Sequence, residues 1–131
     1  MGVDGFSPLP LHDPINDGLF VVVRHRNHIT ILSASALTES HGIFTYDFTT
    51  VAGQKYGSNA QKDLGGGKFG IFGGDANADG TVNAPDLLLW KNSACKQGYR
   101  PSDMKLDGQT DNRDKNEIYL PNEGISTNVP K

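Results

Sequence analysis

Two twelve-residue stretches dominate what this chain can fold into. DANADGTVNAPD (Asp75–Asp86) and DMKLDGQTDNRD (Asp103–Asp114) both carry Asp at positions one, five and twelve, Gly at six, and Asn or Asp at nine. The second half of the chain therefore repeats a loop that leads into an apolar segment, opening once at Asp75 and again at Asp103. Oxygen-bearing side chains at alternate positions around a sharp turn suit a hard cation. Ca2+ takes six to eight oxygens at about 2.3–2.6 Å, and a loop of this length supplies them from every second residue.

In the first loop the spacing assigns side-chain oxygens to Asp75, Asn77 and Asp79, the turn to Gly80, and a main-chain carbonyl to Thr81. Asn83 acts directly or through water, and Asp86 enters from the first turn of the following helix. Val82 is expected to pack between the loops. Asn83 and Asp86 have capping-box-like spacing, and Pro85 is tolerated in a first turn, where N–H groups have no intrahelical partner. The second loop offers Asp103, Asp107, Asp111 and Asp114, with Gln109 in the place of Thr81. One such stretch alone leaves room for a simple cluster of turn formers; two in register make metal the stronger reading.

The second loop departs from the pattern at Lys105, where an oxygen is expected, and at Thr110, where Val82 stands in the first. Protonated lysine has no lone pair to offer. Either its stem carries the charge to solvent and water fills the gap, giving a weaker second Ca2+ site, or Lys105 neutralises the carboxylates and the loop keeps its shape without metal.

With these features residues 75–122 resemble a dockerin-type module: paired EF-hand-like calcium loops, each followed by a helix and lacking a preceding one. The upstream VVVRHRNH and YDFTT are similar, more loosely, to the β-rich region that precedes such modules in large secreted proteins of Bacteroidetes-type bacteria. The resemblance implies calcium-dependent folding and an extracellular or cell-surface location. Cohesin-binding dockerins often carry matched Ser/Thr pairs just before the last ligand. Here the pairs are Ala84-Pro85 and Asn112-Arg113, so a symmetric dual binding mode is not expected.

The region 1–74 reads as β. Strands are expected over Leu19–Arg26, His28–Ser35, Gly42–Thr50 and Lys68–Gly74, with Val51–Gly67 as a loop. Ile29 and Ile31 share one face; Phe44, Tyr46 and Phe48 share another. Four strands make a small antiparallel sheet or partial β-sandwich, short of the usual seven or so. Helices are expected over Asp86–Ala94, with Leu87, Trp90 and either Leu88 or Ala94 inward, and over Asp114–Leu120, stopped by Pro121. The fold class is therefore α+β: a β-rich region, 1–74, then a two-loop calcium region, 75–131, with an extended polar tail.

The net charge is 12 − 15 = −3, which argues against nucleic-acid binding. Cys95 is the only cysteine, excluding an intramolecular disulfide, and no run of about 18 apolar residues exists to span a membrane. MGVDGFSPLP lacks the charged and apolar regions of a signal peptide, so an exported protein would correspond to a mature form or a fragment. In RHRNH (Arg24–His28) a zinc reading, with His12 or His41 nearby, is weaker than a strand end whose basic groups meet carboxylates or loop carbonyls. DLGGGKFG (Asp63–Gly70) lacks the context of a phosphate cradle and reads as a tight turn. No nucleophile elbow or paired-acid arrangement is visible, no small-molecule substrate is indicated, and the chain is expected to be no enzyme. Trp90 and Tyr119 read as core anchors. The expected role is assembly with a protein partner or with copies of itself, the arm GFSPLPLHDPI (Gly5–Ile15) adding as a strand to a neighbour's sheet edge.

Overall fold

A computed structural model describes residues 15–130. The class is mixed α and β. Six short strands come first: β1 Val22–His25, β2 His28–Leu32, β3 Thr38–Ser40, β4 Ile43–Thr45, β5 Lys62–Gly65 and β6 Lys68–Gly70. They are followed by helix α1 (Ala84–Ser93), a π-helix (Asp114–Tyr119) and a helical turn, α2 (Leu120–Asn122).

The strands pair as three separate antiparallel hairpins, β1–β2, β3–β4 and β5–β6, rather than as one sheet. The expected long strand over Gly42–Thr50 ends at Thr45 for a local reason. Asp47 Oδ1 accepts hydrogen bonds from Thr49 N–H (2.7 Å) and Thr49 hydroxyl (2.8 Å), and Asp47 Oδ2 one from Thr50 hydroxyl. A short polar side chain that captures the backbone two residues on turns the chain and ends strand pairing. β3 and β5 fall outside the expected strands: they are polar and largely exposed, with no apolar alternation to mark them.

Ile29 and Ile31 do share the buried face of β2, at 4% and 5% exposure. Ile29 belongs to one hydrophobic core with Ala76, Val82, Met104 and Tyr119, against which Phe72, Leu87, Trp90, Ile118 and Ile125 pack. The core thus draws on residues from both sides of Gly74. Ala76 and Met104, each second in its loop, occupy equivalent places in it. Leu88 points outward at 57% exposure, so the inward face of α1 is carried by Leu87 and Trp90.

The two loop–helix units interlock crosswise. Val82 in the first loop donates to Ile125 O (2.9 Å) and accepts from Gly124 N–H (2.8 Å), beyond the second helix. Thr110 in the second donates to Lys96 O (2.9 Å) and accepts from Cys95 N–H (2.8 Å), beyond the first. Thr110 is as deeply buried as Val82, and its hydroxyl is satisfied by Ser102 Oγ at 3.0 Å. The tail is therefore held, not merely extended: Ile125 joins the core and Thr127 N–H reaches Gly80 O at 2.7 Å.

The repeat length changes between loop and exit. Cys95 and Gly124, the equivalent exit residues, stand one position further apart than Asp75 and Asp103, which open the loops. Both exit residues adopt positive φ, 65° and 89°. The second unit is longer by that one residue, and its helix takes it up as a π-turn. This also admits Pro121, expected to stop the helix at Leu120. Leu120 N–H donates to Lys115 O, five residues back, and the helix runs through the proline to Asn122.

Asn27, in the β1–β2 turn and fully buried, joins the hairpin to both loops. Its Nδ2 donates to Pro101 O (2.9 Å) and Asp103 O (2.6 Å), and its main-chain carbonyl accepts from Gly74 N–H (2.9 Å). Replacing it by alanine leaves the buried Asp103 carbonyl and the part-buried Pro101 carbonyl without this donor. N27A is expected to lower unfolding free energy by about 2–4 kcal/mol in urea melts, whereas the exposed L88Q should change it by less than about 0.5 kcal/mol.

Candidate metal centre

The first and last acids of each loop organise it. Asp75 and Asp86 are 1% and 0% exposed, Asp103 and Asp114 2% and 1%. Asp75 accepts from Asp79 N–H (Oδ1, 3.1 Å) and Gly80 N–H (Oδ2, 3.0 Å). Asp86 accepts from Asn77 N–H (Oδ1, 3.0 Å) and Asn83 N–H (Oδ2, 2.8 Å). Asp79 Oδ1 takes Thr81 N–H at 2.9 Å, and Asn77 Oδ1 takes Asp79 N–H at 3.0 Å. One loop thus draws Asp75, Asn77, Asp79, Thr81, Asn83 and Asp86 together through its own backbone.

The second loop repeats the carboxylate part of this scheme, without a counterpart to Asn77 at Lys105. Asp103 accepts from Asp107 N–H and Gly108 N–H, both at 3.0 Å. Asp114 accepts from Lys105 N–H (2.9 Å) and Asp111 N–H (2.7 Å), and Asp107 from Gln109 N–H (3.2 Å). The backbones agree as well. Ala78 and Leu106, both fourth in their loops, have φ of 57° and 65°; Gly80 and Gly108, both sixth, have 93° and 87°. Left-handed backbone at a non-glycine residue is uncommon and is held in place here by the loop around it. A Cβ on Gly80 would also come within 2.8 Å of Thr127 Cγ2, whereas Gly108 lies in open space.

Electrostatically the loops differ. Among the described residues no basic side chain lies within ion-pair distance of Asp75, Asp79 or Asp86. In the second loop Arg113 bridges Asp107 (2.9 Å) and Asp111 (3.2 Å), and Arg26, from the β1–β2 turn, lies 3.6 Å from Asp103. Lys105 turns away from the loop carboxylates to Glu117. The cations that meet these acids are Arg26 and Arg113 instead. Arg113 carries a local signal, one residue from Asp114 and two from Asp111; the pairing of Arg26 depends on a fold-level approach and has none.

The Asn83 side-chain oxygen is buried without a hydrogen-bond partner at the ninth place of the first loop. Among the described residues no three His, Cys, Asp or Glu side chains converge into a ready-made cage. The first loop has only three carboxylates, with Asn77, Asn83 and the Thr81 carbonyl as its other assigned oxygens. That mixed set suits a hard cation, which accepts amide and carbonyl oxygens alongside carboxylates.

RHRNH is a clamp. Arg26 meets a carboxylate and Asn27 meets loop carbonyls, while His25 and His28 pair across the hairpin with ring centroids 4.6 Å apart. His12, and Gly5–Pro14 of the expected arm, lie outside the described residues. DLGGGKFG is the β5–β6 hairpin with Gly66-Gly67 at its turn. Tyr119 is fully buried with its hydroxyl on Glu123, and Trp90 donates to Asp111 O at 2.7 Å, placing both as core anchors. No helix among the described residues is long and apolar enough to cross a membrane. Comparison with protein-family models, curated proteins and solved structures returns no match.

Burial, helped by the neighbouring Asp86 and Asp79 charges, pushes the Asp75 carboxyl up to about 6, from 3.8. The folded chain holds this proton to higher pH than the unfolded one, so acidification from pH 7 toward 4 favours the fold through Asp75. Burial, with His25 and Arg26 nearby, pushes His28 down to about 4, from 6.5. Its contribution is present above pH 6.5 and is lost as pH falls toward 4. The two oppose each other in one window. With chelator present, D75N is therefore expected to lose more thermal stability between pH 7 and 5 than the wild type; melts at both pH values check this.

Proposed function

We propose that this chain is a calcium-binding, non-catalytic structural module of the bacterial cell exterior, built as a dockerin-like pair of loops behind a β-rich region. It acts in protein–protein assembly, through self-association into a larger surface assembly or filament. The observation that supports calcium most is the recurrence of one carboxylate-to-backbone scheme in both loops, with buried acids in the first loop that no basic side chain among the described residues meets. The first ion would be held by Asp75, Asn77, Asp79, the Thr81 carbonyl, Asn83 and Asp86. A second, weaker one would fall to Asp103, Asp107, Gln109, Asp111 and Asp114. When bound, calcium supplies positive charge to buried oxygens, and its binding free energy becomes folding free energy.

Self-association is supported by the hairpins. Val22 on β1, Ile43 on β4 and Leu64 on β5 are 41%, 64% and 62% exposed on two-stranded hairpins, whereas the far side of β2 is taken by Phe72 and Tyr56. Exposed apolar edges are templates for pairing with another chain, and a head-to-tail contact that does not close makes a filament. A second reading, docking onto a cohesin-like or neighbouring domain of a secreted enzyme or adhesin, is favoured by Leu88, Leu89 and Leu120, exposed on the two helices.

Saturating calcium at about a hundred times the dissociation constant should contribute about 2.7 kcal/mol and raise the melting temperature by about 10 °C. The double variant D75N/D86N should lose most of that shift, and an unchanged wild-type melt in excess EGTA would sink the calcium reading. Light scattering and electron microscopy with and without calcium separate the two roles: oligomers or fibres support self-association, and a strict monomer supports docking.

A further inference from the structure

We propose that two arginines meet the carboxylates of the second loop and weaken calcium there, so that the chain takes up one calcium ion tightly, in the first loop. This rests on the calcium reading above. The loops share their backbone scheme but not their charge. Asp75–Asp86 carries three aspartates and no base, a net −3; Asp103–Asp114 carries four with Lys105 and Arg113, a net −2, and Arg26 brings it to −1. Three of the four carboxylates in the second loop are met by guanidinium groups: Asp103 by Arg26, and Asp107 and Asp111 by Arg113. The fourth, Asp114, is occupied by the N–H groups of Lys105 and Asp111. Arg113 is eleventh in its loop; the eleventh residue of the first loop is Pro85, which offers no charge.

Arg26 is the deeper of the two. Its side chain is 15% exposed against 3% for Asp103, and its guanidinium carbon lies 3.3 Å from the Tyr99 ring centroid. Asn27 beside it anchors the same turn to Asp103 O and Pro101 O. Stacking on an aromatic ring suits arginine to this place, where it meets the buried Asp103 carboxylate by charge at 3.6 Å. Arg113 is half exposed and therefore easier to displace. A divalent ion entering this loop would have to find oxygens with two fixed positive charges beside them and Lys105 at a ligand place. The β1–β2 hairpin thus completes the second loop, and its tip does for that loop what calcium does for the first.

The test is calcium titration by calorimetry on the full chain stripped with EGTA, using wild type, D75N, D103N, R113Q and R26Q, with melts of each in EGTA. Expected are one tight ion in wild type, none in D75N and one in D103N. R113Q should gain a second ion, or bind it at least tenfold more tightly. In EGTA, R26Q should melt several degrees below wild type and R113Q by less. Two ions of similar affinity in wild type, or a tight ion that survives D75N and vanishes in D103N, would overturn the proposal. No bound ion in wild type would remove the calcium reading, while the EGTA melts still decide the arginine lock: a wild-type-like melt in R26Q overturns it. If R26Q fails to fold, the second ion in R113Q decides.

Discussion

A buried carboxylate that accepts two backbone N–H groups is the interaction on which this structure depends. It occurs four times, at Asp75, Asp86, Asp103 and Asp114, and each instance ties the start or end of a loop to its interior. Burying an ionised carboxylate is costly unless it is hydrogen-bonded and its charge is met. The backbone supplies the hydrogen bonds in both loops alike. The charge differs: Arg26 and Arg113 meet it in the second loop, while among the described residues no basic side chain does so in the first, and from that difference follows most of what distinguishes the halves of the repeat.

Once each loop is closed, its second and eighth residues have fixed places. Ala76 and Met104 enter the core from the second position; Val82 and Thr110 enter the interior from the eighth and pair with the chain leaving the opposite helix. Crosswise pairing makes neither unit complete without the other. The hairpin β1–β2 then closes the remaining side, with Ile29 in the same core and Asn27 bonded to the loop carbonyls. A contact network of this kind explains why the hairpin is well packed while β3–β4, which takes no part in it, is almost wholly exposed.

What the sequence made legible was periodic or local. The Asp spacing was readable because the first and last acids of each loop recur at the same places, and the alternation in His28–Leu32 because one face of that strand is buried. The break after Thr45 followed from Asp47 reaching forward to Thr49 and Thr50, a choice between strand and turn that apolar alternation at Phe44, Tyr46 and Phe48 obscured. The strands Thr38–Ser40 and Lys62–Gly65 have no buried face and so leave no pattern. The π-turn was hidden for another reason: the one-residue offset between Cys95 and Gly124 becomes visible only when the two helix exits are matched, and both residues look unremarkable until their shared positive φ is known.

The charge of the second loop shows the limit most clearly. Lys105 was conspicuous because it broke the pattern, yet its ammonium meets Glu117 and none of the loop carboxylates. Arg26 was inconspicuous, sitting in the first hairpin and far upstream of Asp103 in the chain, and among the described residues it is the cation within ion-pair distance of that buried acid. A substitution within a motif reports where an oxygen is missing, whereas the compensating charge arrives through tertiary contact. Arginine at the tip of a two-residue turn, with Asn27 fixing that tip and Tyr99 covering the guanidinium, is a placement only the folded chain defines. The same backbone scheme can therefore carry charge-paired acids in one copy and acids without a basic neighbour in the other, and the structural consequence is an asymmetric repeat whose second half depends on the hairpin packed against it.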